Sequence, residues 1–151
     1  MEHHDSSRTF TVEIKRHLKA PRDRVYAAWT DPAQVKQWFG PENVQTRELI
    51  AEARVGGEFR WDLINQEGKA MTISGEFREL KPNKKIVFTW RWEDDEVWKN
   101  RVSVVTIELS DADGGTELRL THEQLPTKTL RDGHDEGWNS ALRKLENFVR
   151  K

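Results

Sequence analysis

From Phe10 to Leu18 apolar and polar residues alternate, with Phe10, Val12 and Ile14 on one side and Thr11, Glu13 and Lys15 on the other. A period of two predicts a half-buried strand. Carried onward, the alternation places Arg16 on the apolar side with Leu18. There a cation either reaches back to solvent along its aliphatic stem or faces something in the interior. Pro21 to Thr30 predicts a short helix, with proline tolerated at its start and Val25, Ala28 and Trp29 as the apolar stripe. Asp31-Pro32 opens a second short helix to about Trp38, with Asp31 as its cap and Val35, Trp38 and Phe39 inward, and Gly40-Pro41 stops it.

Beyond Val44 the pattern is that of strands: Val44 to Ala51, Glu58 to Ile64, Ala70 to Leu80, Ile86 to Trp92, Arg101 to Leu109 and Thr116 to His122. Turns are expected at Gly56-Gly57, Asn65 to Gly68, Lys81 to Lys84 and Asp111 to Gly115, and an acidic loop at Glu93 to Asn100, whose Asp94-Asp95-Glu96 run suits a solvated hairpin better than a cation site. Consecutive strands with one apolar face form an antiparallel sheet that needs a cover. The long helical segment is the last, about Thr129 to Val149. There Leu130, His134, Trp138, Ala141, Leu142, Leu145, Phe148 and Val149 recur at helical spacing. Gly137 sits within that helix, where glycine costs about 1 kcal/mol against alanine; close backbone approach, clearance for a ligand or simple tolerance would each account for it.

The expected fold class is therefore α+β. A twisted antiparallel sheet of about six or seven strands wraps around a long C-terminal helix, with two short helices after the first strand. A tail at residues 1–8 is expected to be disordered, and residues 9–151 to form one domain. A space between helix and sheet would be walled by Phe59, Trp61, Met71, Ile73, Phe88, Trp90, Ile107, Leu118, Leu120, Trp138 and Leu142, with Trp38 at its edge.

Composition sharpens this picture in two places. Seven tryptophans in 151 residues suit either core packing or an aromatic-walled cavity. With no cysteine, disulfides, thiolate chemistry and cysteine-built metal sites are excluded. A formal charge of −1 gives no general attraction to nucleic acid or anionic membrane. No run approaches the roughly 20 apolar residues of a membrane helix, and MEHHDSS is no signal peptide, so a cytoplasmic location is expected.

Candidate chemistry is thin. No histidine spacing suits a metal, and no nucleophile elbow, P-loop or dinucleotide motif occurs. His122 falls on the apolar face at a strand end and His134 on the helix stripe with Trp138. Together they could accept protons or bind a ligand's polar head, or simply be hydrogen-bonded boundary residues. No catalytic residue, metal or cofactor is assigned.

Several blocks carry a family resemblance: Ala20-Pro21 with Val25, Ala28 and Trp29; Asp31-Pro32 through Trp38-Phe39-Gly40-Pro41; Gly56-Gly57-Glu58-Phe59; Gly75; Leu80 to Pro82 with Ile86 to Trp90; Gly115 to Leu118 through Thr121-His122; and Gly137-Trp138 with Leu145. In this order they resemble the START-like superfamily, also called SRPBCC or Bet v 1-like, with its helix-grip fold. Within it they are most similar to the family named for the C-terminal domain of the activator of heat-shock-protein-90 ATPase. The resemblance spans nearly all of residues 10–150. It implies a small apolar or amphipathic ligand held in the grip cavity, in a noncatalytic carrier or sensor. From their positions, Arg16 or His122, or the His122–His134 pair, would meet a polar group of such a ligand while tryptophan and phenylalanine gripped its apolar body. Alternatives are a stress-response module binding a chaperone or other protein, with an apolar patch exposed around Trp98 or the first helices, and a cyclase/aromatase-like or hydrolytic enzyme. Oligomeric state is not legible.

Overall fold

The computed structural model describes residues 8–150; the expected tail at residues 1–8 lies almost wholly outside them. The chain runs β1 (Phe10–Leu18), α1 (Arg22–Thr30), α2 (Pro32–Trp38), β2 (Gln45–Ala51), β3 (Glu58–Ile64), β4 (Ala70–Lys81), β5 (Lys85–Trp92), β6 (Ser103–Ala112), β7 (Gly115–Leu125) and α3 (Lys128–Arg150). A 3-10 turn, Glu96–Trp98, interrupts the loop between β5 and β6. The seven strands form one antiparallel sheet in the order β1-β7-β6-β5-β4-β3-β2, so every neighbouring pair but β1–β7 is consecutive in the chain. This is the helix-grip architecture expected from the sequence.

Alternation works as the apolar pattern requires. On β3, Phe59, Trp61 and Leu63 are buried, and Leu118, Leu120 and His122 are buried on β7. β7 runs three residues past His122, because β1 pairs along its whole length and aligns Phe10 with Leu125. His122 is thus inside the strand, not at a turn. The sheet curls at bulges between Thr46 and Glu48 and between Phe77 and Glu79. Near the second bulge, Gly75 lets its backbone approach the Thr89 carbonyl so closely that a Cβ would overlap that oxygen.

The helices close the concave side. Asp31 accepts from the Ala33 amide at 3.2 Å to start α2, with Pro32 at its first position. The Trp38 indole donates to the Ala28 carbonyl at 2.9 Å and meets Trp29 edge-on at 4.7 Å, joining the two short helices. Thr127 caps α3 by accepting from the Leu130 amide at 3.1 Å. At the far end of α3, Arg24 of α1 donates to the Phe148 and Val149 carbonyls. A cation there complements the negative end of the helix. Trp138, Leu142 and Leu145 turn inward as the helical spacing predicts.

Candidate functional site

One half of the helix–sheet space is filled and the other is open. Phe59, Ile73, Phe88, Ile107, Leu120 and Leu142 are at most 3 % exposed and form packed interior. Beside them lies a cleft of about 320 Å³, in which β3 contributes Trp61 and Leu63, β4 Met71, and β5 Trp90 and Trp92. The segment after α2 supplies Phe39, Gly40, Pro41 and Val44, and the β5–β6 loop supplies Asp95. α3 supplies Thr129, Leu130, Gly133, His134, Gly137, Trp138 and Ala141. Larger depressions elsewhere are lined mainly by charged and polar side chains of the outer sheet face.

Of the residues expected at the site, the structure brings Trp61, Met71, Trp90, His134 and Trp138 to the cleft wall. Trp38 is buried against α1, and His122 lies behind Trp138, away from the lining. Arg16 points neither to the cleft nor freely to solvent. Its guanidinium donates to Asn139 at 2.7 Å and Glu146 at 3.2 Å, both on α3. The lining also includes Phe39, Gly40, Pro41, Val44, Leu63, Trp92, Asp95, Thr129, Leu130, Gly133 and Ala141, which the sequence does not single out as wall residues, and Gly137, for which clearance for a ligand is one of the explanations the sequence offers. Trp92 shares the β5 parity of Trp90, and Gly133 and Gly137 are conspicuous in a helix. Asp95 belongs to the acidic run Asp94-Asp95-Glu96, which by sequence suits a solvated hairpin better than a cation site.

The two histidines organise the aromatic wall. Nδ1–H of His134 donates to the Leu130 carbonyl at 2.7 Å, which leaves Nε2 as an acceptor for the indoles of Trp92 at 3.0 Å and Trp90 at 3.3 Å. His122 holds the opposite tautomer. Its Nδ1 accepts from the Trp138 indole at 3.0 Å, while Nε2–H donates to Ser103 Oγ at 2.8 Å and Ser103 donates to the Trp90 carbonyl. Each ring is satisfied only when neutral, since a second ring proton would face an indole N–H.

Burial holds His122 well below the usual imidazole value, with the neighbouring His134 adding to the shift, and burial also lowers His134. As the pH falls below the ordinary 6.5, the unfolded chain takes up protons that the folded chain refuses. Stability is therefore full above that value and declines below it toward the depressed folded values. Urea midpoints at about pH 7.5 and about pH 5 measure this decline. His134→Gln, whose side-chain oxygen can accept from the same indoles, is expected to flatten it; an unchanged slope would place its origin elsewhere.

The protein-binding alternative would expose an apolar patch around Trp98 or the first helices; Trp98 is fully buried, and among the described residues the exposed large hydrophobics are Val55 and Val97. No helix among those residues is long and apolar enough to cross a membrane.

Comparison with known proteins gives the same architecture. The family model for "Activator of Hsp90 ATPase homolog 1-like protein" matches residues 19–150. The structure of protein CV1439 from Chromobacterium violaceum is similar at a TM-score of 0.85 with 29% identity, covering 93% of this chain and 97% of that one. The AHSA1 protein from Silicibacter pomeroyi superposes at a TM-score of 0.81 with 28% identity, covering 91% and 96%. An uncharacterized protein, C1711.08, from Schizosaccharomyces pombe is 29% identical over 109 residues. That match takes in 71% of this chain but spans only 27% of the yeast protein's length.

Proposed function

Since the chain belongs to the Activator of Hsp90 ATPase homolog 1-like family, a helix-grip group generally associated with ligand binding between sheet and helix, we propose that it binds a small, largely apolar aromatic or amphipathic molecule in the cleft under α3, without catalysing its conversion. The observation that carries this reading is the pair of glycines on α3. A Cβ at Gly133 would meet nothing within 4 Å, and one at Gly137 only Pro41, at 4.0 Å. No close backbone approach demands glycine at either place. Each nonetheless costs the helix about 1 kcal/mol against alanine, and both line the cleft. Clearance for an occupant explains that cost.

Size narrows the occupant. About 320 Å³ is at the low end of ligand cavities, which run from about 300 to 1,000 Å³. A molecule of one or two rings fits better than a sterol or a long-chain lipid. The walls hold no nucleophile poised against a base: the Ser103–His122 pair is fully buried and tied into the wall's own hydrogen bonds.

Native mass spectrometry of the protein purified from its own host, followed by calorimetric titration with tert-butylbenzene as a neutral probe, tests the reading. Gly137→Ala is expected to raise stability by about 1 kcal/mol, seen as a rise in Tm of about 3 °C. Gly137→Leu is expected to abolish probe binding while the fold persists. A wild-type protein that retains no small molecule and does not bind the probe, or a Gly137→Leu variant that binds it unchanged, would refute the proposal.

A further inference from the structure

The hydrogen-bonding capacity of the cleft is one-sided. All four indoles in the lining have their N–H groups turned to partners inside the protein: Trp61 to Thr46 Oγ1 at 3.0 Å, Trp90 and Trp92 to His134, and Trp138 to His122. Both nitrogens of His134 are engaged as well. The Lys144 ammonium, which donates to the Gly40 carbonyl at 2.9 Å, is not part of the lining. No arginine or lysine lines the cleft, and its one charged side chain is Asp95. Thr129 has the remaining lining hydroxyl, which can accept as readily as donate.

An occupant therefore meets aromatic rings, whose faces are electron-rich, and a carboxylate. Asp95 Oδ1 accepts from the Val97 amide at 3.1 Å and starts the 3-10 turn, which fixes the side chain on its loop. Its Oδ2 has no hydrogen-bond partner among the described residues. Asp94 and Glu96 stand on the adjoining rim with Asp95 and Trp92, against the single cation Lys69. Anions and strong acceptors find no side chain here committed to donating to them. A cation finds π faces and a carboxylate, the combination that recognises organic ammonium groups.

We propose that the occupant is a small organic cation, an aryl or alkyl ammonium whose charged head sits between the indole faces and Asp95. This rests on the cleft being a ligand site and adds the ligand's charge. Three probes separate the two ideas: phenyltrimethylammonium, its uncharged isostere tert-butylbenzene, and 4-tert-butylbenzoate, which adds an anionic carboxylate to that isostere, each titrated calorimetrically into the full chain. The cation is expected to bind about tenfold more tightly than the isostere, with the benzoate weakest. Asp95→Asn keeps an oxygen to cap the turn and is expected to narrow the cation-to-isostere ratio about threefold, as is added salt. Equal binding of cation and isostere, tighter binding of the benzoate, or a ratio unmoved by Asp95→Asn overturns the inference and leaves the proposed function of the cleft standing. Failure of all three probes to bind a protein that also retains no small molecule from its host overturns both.

Discussion

Trp98→Ala is expected to destabilise the protein by about 3–5 kcal/mol, the range for removing a wholly buried aromatic side chain. Trp98 is fully buried and its ring lies 6.4 Å from that of His134. It anchors the charged loop between β5 and β6 to the interior, so its loss creates a cavity and frees the segment that carries Asp95. Its indole nitrogen has no hydrogen-bond partner although buried. An unmatched buried donor carries a desolvation cost of about 1–3 kcal/mol. Trp98→Phe removes that cost along with part of the volume and should lose far less than alanine. Chemical denaturation of the two variants checks the contrast. Equal losses, or an alanine variant within about 1 kcal/mol of the parent, would mean that the loop is not held by this side chain.

Gly75→Ala is expected to cost about 3 kcal/mol, the upper end for overpacking an interior site, and to lower Tm by about 10 °C. The added methyl has no room beside the Thr89 carbonyl, and backbone cannot move aside as a flexible side chain can. Relief would require β4 and β5 to separate where the sheet curls, disturbing Phe77 opposite Phe88 and, further along, Ile73 opposite Trp92. An unchanged Tm would rule out that close approach. Gly137→Ala, the same substitution on α3, is expected to do the opposite. The difference lies in what surrounds each Cβ, not in the residues exchanged.

Much of the fold is legible because the apolar face of each strand follows a strict period of two. Phe59, Trp61 and Leu63 can be assigned to the interior from spacing alone, and the stripe from Trp138 to Val149 gives the covering helix. The cleft is harder to read, because its wall and the filled core share one face of one sheet. Phe59 and Trp61 are two residues apart with the same parity, as are Phe88 and Trp90, yet in each pair only the tryptophan reaches the cleft. Two residues move about 7 Å along a strand, which is enough to pass from the packed interior to the cleft that Gly133 and Gly137 line. Periodicity reports which side a residue faces but not what covers it there. Arg16 shows the same limit: its parity was legible, but its partners Asn139 and Glu146 depend on where α3 crosses β1. Asp95 reaches the cleft from the loop whose Trp98 is buried in the interior.

The crowding of indoles also gives the protein an optical property. Trp90 and Trp138 lie 5.2 Å apart at an inclination of 46°, and Trp29 and Trp38 are closer still. Chromophores so near and so inclined share their electronic excitation, and the circular dichroism they generate depends on their mutual angle. A molecule entering between Trp61, Trp90 and Trp138 would alter that exciton signal directly, so the unlabelled chain is its own spectroscopic reporter of occupancy.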